Sequence, residues 1–232
     1  MYSPLLVKLL FVHFTADFLL QFDFLARGKE RHGLASWHVW VHVALHGVLV
    51  HVVLQTWWIT LVTLLTHGLI DAAKISMPET GKGRMWFFLD QAFHLVVVGA
   101  IWLIGQNAAY PALPDWFDTW LLPITGAVVL TKPGKFMVGV FLSHWTPSTA
   151  RRDFPFCGPG PLVGMVERLL VFLLVLLGWW QAALLLSASK MIAQQTGRFR
   201  SPDAQVRHFD LIGDLASLGL AWVVALLAVQ FA

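Results

Sequence analysis

Histidines and aspartates at helical spacing carry the chemistry in this sequence. His13-x3-Asp17-x3-Gln21 places three polar groups on one face, because residues four apart stack on an α-helix. His38, His42 and His46 repeat the spacing, His67-x3-Asp71-x2-Lys74 follows, and Asp90-Gln91-x2-His94 completes the set. Imidazole and carboxylate together are the donors for zinc, manganese or non-haem iron, and a spacing of four lets two side chains reach one ion. Several such pairs converging would hold one or two divalent metals and leave a position for activated water or substrate. The expected ligands are His13, Asp17, His42, His46, His67, Asp71, Asp90 and His94, with the choice between His42 and His46 open. Asp17, Asp71, Asp90 and Glu167 are the candidate catalytic carboxylates, and Gln21, Lys74, Gln91, Arg168 and Lys190 the candidate substrate-binding groups.

Each of these residues also has a plainer reading. A lone intramembrane His or Asp can simply bond a neighbouring helix. Lys74 serves equally as a snorkelling lysine at a helix end or as a partner for Asp71. Glu167-Arg168 can be a structural pair, and Asp17 with Gln21 a brace. The joint pattern, rather than any member, argues for a site. His38 and His51 read as incidental, and His32, His144 and His208 as solvated.

The elements that must position these groups are membrane helices. Of 232 residues, 57% are hydrophobic and 12% charged, with mean hydropathy +0.68. Ordinary soluble domains carry about 25% charged residues, so a soluble protein is excluded. Apolar segments lie at 4–26, 35–54, 58–77, 85–105, 116–131, 162–177, 181–197 and 208–231. The splits at Gln55-Thr56-Trp57-Trp58 and Gly178-Trp179-Trp180-Gln181 use paired tryptophans, which suit the membrane interface. Thr131-Lys132-Pro133-Gly134-Lys135 breaks the chain after the fifth segment, and Phe136 to Trp145 reads as a short interfacial or re-entrant helix. Gly158-Pro159-Gly160-Pro161 reads as a rigid turn before the sixth. The first segment holds His13, Asp17, Gln21 and Asp23 and lacks a cleavage pattern, so it is expected to remain as a helix. The single Cys157 excludes an internal disulfide and any multi-cysteine metal site. The net charge of +3 does not point to nucleic acid, since basic residues in membrane proteins mark cytoplasmic loops.

The fold expected is all-α: a polytopic transmembrane bundle of about eight helices, forming one integral membrane domain over 1–232. Within it, 1–105 carries two polar-faced helical hairpins, 106–161 a short helix, a break and the interfacial helix, and 162–232 the last three helices. Lys29, Lys82, Arg84, Lys132, Lys135, Arg151, Arg152, Arg198 and Arg200 share one side if both termini lie outside, and only Lys8 disagrees. His13 and Asp17 map onto His67 and Asp71 at an offset of 54, and His38 and His42 onto Asp90 and His94 at 52, as in a parallel repeat of two hairpins. At 1.5 Å per residue His13, Asp17, His42, His67, Asp71, Asp90 and His94 share a layer roughly 8 to 20 Å inside the cytoplasmic face. Glu167, Lys190 and Asp214 are expected near the same depth.

His13-x2-Ala16-Asp17-Phe18-x2-Gln21, His67-x2-Ile70-Asp71-x2-Lys74, Phe88-x-Asp90-Gln91-x2-His94, Thr131-Lys132-Pro133-Gly134 and Glu167-Arg168-Leu169-Leu170 together resemble a family of uncharacterised bacterial multi-pass membrane proteins. The resemblance spans nearly the whole chain and implies a bacterial inner-membrane location, with no established reaction. From the residues themselves, the leading expectation is a metal-dependent hydrolase or transferase acting on a lipid or isoprenoid reached from the inner leaflet. The alternative is an ion- or proton-coupled transporter or channel for a small solute, since His/Asp chains also relay protons. A haem-binding carrier would leave the aspartates unexplained, while a non-catalytic assembly factor is a further reading, favoured if the polar layer can be mutated without a phenotype. Membrane lipids and a small-molecule or lipid substrate are the expected partners, and the pattern is compatible with a homo-oligomer.

Overall fold

A computed structural model describes residues 3–22, 24–25, 28–29, 33–76, 83–107, 114–146, 159–196 and 203–231. These are mostly helical, with no strand among them. Five stretches are long and apolar enough to cross a membrane: Trp37–Leu54, Trp57–Ile75, Met85–Gly105, Asp115–Leu142 and Ala204–Phe231. Their outward faces are apolar. Trp57, Leu65, Val96 and Ile104 are 66–76% exposed while histidines and aspartates are buried, the inverse of a soluble protein.

The chain divides into two compact units, Tyr2–Thr125 and Gly126–Ala232. The first unit is built from α1 (Pro4–Phe14), α2 (Trp37–Leu54), α3 (Trp57–Ile75), α4 (Gly83–Gly105) and the start of α5 (Asp115–Leu130). Each of α1 to α4 packs on the next, and α4 returns to α1, which closes a four-helix ring. Leu5, Leu9, Val12, Val50, Val53, Leu54, Ile59, Val98 and Ile101 form one apolar core at the end where α2 turns into α3. Trp102 Nε1 donates to Ser3 Oγ (2.9 Å) and ties α4 to the start of α1 at that end. The α2–α3 turn needs only Gln55 and Thr56, and Gln55 takes left-handed backbone (φ 47°) to make it.

The first helix departs from the expected 4–26. Pro4–Phe14 is α-helical, Thr15–Leu19 is a single π turn closed by Leu20 N–H on the Thr15 carbonyl (2.9 Å), and the helix ends there. Such wide turns widen the register locally and recur at functional sites. Asp23, Arg27, Arg31 and His32 lie outside the described residues. Lys8, the cation that disagreed with the loop-charge pattern, is buried and pairs with Asp118 Oδ1 of α5 at 3.1 Å. Burial against a carboxylate is what lets a lysine sit there.

The second unit comprises the end of α5, α6 (Lys132–Leu142), α7 (Pro159–Leu176), α8 (Trp180–Gln195) and α9 (Ala204–Phe231). The break after α5 is a single residue, Thr131, so α6 begins at Lys132 rather than at Phe136 and ends at Leu142. Likewise α7 begins at Pro159, not after the prolines. Both shifts have one cause: proline's missing N–H costs nothing in a helix's first turn, where that group has no intrahelical acceptor. α9 packs on α7 through Leu218 and through Ala221, Ala225 and Ala228, whose small side chains allow close approach, with Val171, Phe172 and Val175 opposite. Cys157, Arg151, Arg152, Arg198 and Arg200 lie outside the described residues.

Gly126 marks how tight that packing is: a Cβ there would stand 2.7 Å from Phe172 Cζ and 3.2 Å from Val224 Cγ1. Gly126→Ala is therefore expected to destabilise the protein by about 1–3 kcal/mol, as overpacking does. Reversible denaturation in mixed micelles reads this directly, and an unchanged midpoint would contradict the packing.

Candidate metal centre

Asp17 is the hub of the first unit. The π turn aims its carboxylate into the ring of α1 to α4, where it is 8% exposed. Asp17 Oδ1 lies 2.9 Å from His46 Nε2, 3.2 Å from His42 Nε2 and 3.6 Å from His67 Nε2, and His67 Nε2 is 3.1 Å from His42 Nε2. Gln91 Nε2 donates to Asp17 Oδ2 (3.3 Å), and His13 Nδ1 stands 3.7 Å from the same oxygen. All four histidines, His13, His42, His46 and His67, are at most 4% exposed. One carboxylate oxygen thus faces three imidazole nitrogens drawn from two neighbouring helices.

Ligand atoms of Asp17, His42, His46 and His67 all lie within 4.8 Å of one another, as do those of His67, Asp71 and His94. The distances decide what the first group suits. Bonds of 2.0–2.1 Å around a tetrahedral ion separate neighbouring ligand atoms by about 3.3 Å. Four of the six separations in this group, 2.9 to 3.6 Å, lie on either side of that value, and all six are within 4.8 Å. The second group shares His67 with the first. His94 Nδ1 donates to the Asp90 carbonyl (2.8 Å), so in the neutral ring Nε2 carries a lone pair, and that Nε2 is buried with no partner. A backbone acceptor on the far nitrogen is how ligating histidines are commonly held. His13 Nε2 is likewise buried and unpartnered.

Lysines neutralise the carboxylates at the opposite end from the apolar core. Lys29 Nζ donates to Asp71 Oδ2 (2.7 Å), and Lys74 Nζ donates to Asp90 Oδ2 (2.7 Å). Lys74 therefore pairs with Asp90 rather than with Asp71, and reaches it from a half-exposed position at the end of α3. Gln21, with its amide turned to suit its neighbours, donates to the Asp17 carbonyl (2.8 Å) and accepts from Lys29 Nζ (3.2 Å). Gln91 also bonds Asp90 Oδ2 (3.3 Å). Sequence spacing carries no sign of Lys29, which lies in a segment without helical periodicity and there resembles any loop cation, yet it is 8% exposed.

The structure thus brings Asp17, His42, His46 and His67 to one point, and Asp71 and His94 beside them. His13 stacks on His94 with centroids 5.4 Å apart, and Asp90 is held by Lys74, so both lie next to the two groups without joining either. His38 bonds Ser36 Oγ (2.6 Å), and His51 lies against Trp57 and 3.4 Å from Thr60 Oγ1; neither belongs to a ligand group.

Glu167, Arg168, Lys190 and Asp214 belong to the second unit and to neither ligand group. Lys190 bonds Glu167 and Asp214 (2.9 Å to the latter), joining α7, α8 and α9. Arg168, 2% exposed, donates through Nε to the Leu130 carbonyl at the α5 break and through Nη1 to Ser217 Oγ, both at 2.9 Å. Gly134 sits so close that a Cβ would meet Val129 O at 3.0 Å and Arg168 Nε at 3.3 Å. These contacts brace helices.

Comparison with curated proteins and with solved structures found no match. A family model described as "Protein of unknown function (DUF3307)" matches residues 5–121, a span that contains α1 save Pro4, all of α2 to α4 and every residue of both ligand groups. The chain belongs to the DUF3307 family of proteins of unknown function.

Proposed function

We propose that this protein is a membrane-embedded, metal-dependent enzyme, hydrolysing or transferring a group on a lipid or isoprenoid. A divalent ion, zinc, manganese or iron, is held by Asp17, His42, His46 and His67. The observation that carries the reading is the buried meeting of one carboxylate oxygen and three imidazole nitrogens at separations that suit a tetrahedral ion. Placing so many polar groups inside an apolar bundle costs several kcal/mol, a cost that natural sequences accept at functional sites. A divalent ion there supplies Lewis acidity and a water that ionises near neutral pH. Asp71, 3.8 Å from His42 Nε2 and fixed by Lys29, is the carboxylate placed to receive that proton, and the His94 Nε2 lone pair is a second acceptor. Lys74 and Gln91 flank the same end and suit an anionic head.

The protein is assigned to the bacterial inner membrane, with the His/Asp layer in its cytoplasmic half and both termini outside. A two-hairpin repeat is supported by one pair of contacts: His13 with His94 (5.4 Å between centroids) and His42 with His67 (5.1 Å) exchange under the offsets of 54 and 52. Transport of a hydrated ion is disfavoured because the space on one side of the histidines is lined by Leu9, Val12, Val50, Val98 and Ile101.

Elemental analysis tests the reading. Protein purified without chelator, or reloaded with zinc, manganese or iron, is expected to carry about one tightly held ion per chain. Asp17→Asn, which preserves volume, and His67→Ala should each lower occupancy at least about tenfold, while His38→Ala should not. Wild-type protein that stays metal-free after reloading contradicts the proposal, as does full occupancy in both ligand variants.

A further inference from the structure

The two ligand groups meet at His67, and that sharing decides how they are filled. A neutral imidazole has one N–H and one lone pair, so His67 serves one ion at a time. Ligand atoms of His67, Asp71 and His94, all carried by α3 and α4, lie within 4.8 Å of one another, while Asp17, His42 and His46 come from the π turn and α2. Asp71 Oδ2 is 3.8 Å from His42 Nε2, so the second group begins about one ligand spacing from the first.

His94 is set up for a cation that its hydrogen bonds do not supply. Its Nδ1 donates to the Asp90 carbonyl (2.8 Å), and its buried Nε2 has no partner. Buried acceptors are nearly always satisfied. A metal ion, unlike an organic ligand, needs converging lone pairs rather than open volume.

The surroundings of the two carboxylates differ. Asp17 is enclosed by imidazoles and Gln91, whereas Asp71 is covered by Lys29, whose Nζ donates to Oδ2 (2.7 Å) and also to the turned amide of Gln21 (3.2 Å). Gln21 is half-buried and Lys74 half-exposed, so this end lies nearer the surface, while the leucine and valine core closes the other. Three protein ligands leave a fourth position for water, and four do not. A cavity of about 30 Å³ touches His46, His67 and His94, which together represent both groups, and has room for one or two waters.

We infer that His67, Asp71 and His94 form an entry seat for the divalent ion. The ion displaces Lys29 from Asp71, binds there with a water, and passes to Asp17, His42 and His46 while His67 stays bound and the water is shed. Lys29 rests on Gln21 during the exchange and returns to Asp71 after it. This inference rests on the metal reading above and adds the route by which that site is loaded. It leaves Asp71 and His94 free to accept protons once the ion is in place.

The test follows cobalt(II) uptake by the chelator-stripped full chain in phosphatidylcholine nanodiscs through its d–d absorption, then release into excess chelator, with final metal content measured on the same samples. His94→Phe keeps a ring against His13 and His67 but brings no lone pair. It should slow both uptake and release at least about tenfold. Its final content should stay at the wild-type value of about one ion per chain, which also shows the bundle intact. Lys29→Gln, which keeps a donor for Asp71 without the competing charge, should load at least about threefold faster. Wild-type rates in His94→Phe would overturn the entry seat and leave the metal reading standing. So would a His94→Phe content that falls as far as that of His67→Ala, since His94 would then be a resident ligand. Two ions per wild-type chain would overturn the succession, and loading no faster in Lys29→Gln would overturn the displacement of Lys29. Wild-type protein that takes up no cobalt would overturn the metal reading and this inference with it.

Discussion

A carboxylate placed inside an apolar helical ring must be compensated where it stands, and Asp17 sets the arrangement of everything around it. Its two oxygens draw in His42 and His46 from α2, His67 from α3, Gln91 from α4 and His13 from its own helix. No single partner neutralises it, because a neutral imidazole brings a hydrogen bond and no charge. Three nitrogens around one oxygen make at most a shared set of hydrogen bonds, and far better use of their lone pairs if a cation sits among them. The ring of four helices, the π turn that aims Asp17 and the short turn at Gln55-Thr56 all serve that meeting.

Around the hub the first unit is ordered by polarity. At one end the Lys29–Asp71 and Lys74–Asp90 pairs take up the remaining carboxylates, and at the other a leucine and valine core closes the bundle. Removing one member of a buried ion pair strands the other, so Lys29 and Asp71 stand or fall together. The second unit solves a similar problem without convergence of ligand atoms among its described residues: Lys190 is shared by Glu167 and Asp214, and Arg168 caps a carbonyl at a helix break. Those contacts are spent on joining helices.

The His/Asp pattern is legible because the α-helical period is close to four residues, so the spacing of His13-x3-Asp17 and His67-x3-Asp71 by itself announces a shared face. Spacing does not reveal which pairs meet across helices, and so does not choose between His42 and His46; both turn out to face Asp17. Nor does it reveal the π turn, since nothing in Thr15-Ala16-Asp17-Phe18-Leu19 departs from helical composition. Lys29 escapes because a loop lysine and a lysine folded back into the bundle read alike in one sequence. Proline-based boundaries fall a few residues late at Lys132 and Pro159, where first-turn prolines begin helices instead of preceding them. The tryptophan pairs do place the turns, because an amphipathic ring has few stable positions in a bilayer besides its interface.

The most direct measurement of the central claim is an anomalous-scattering difference map of the purified, metal-supplied protein, collected at the zinc, iron and manganese edges. The account predicts one peak bounded by Asp17 Oδ1 and the Nε2 atoms of His42, His46 and His67, at about 2.0–2.1 Å from each. A map without anomalous density at that point, with the three imidazoles hydrogen-bonded directly to Asp17 in metal-saturated crystals, would contradict it.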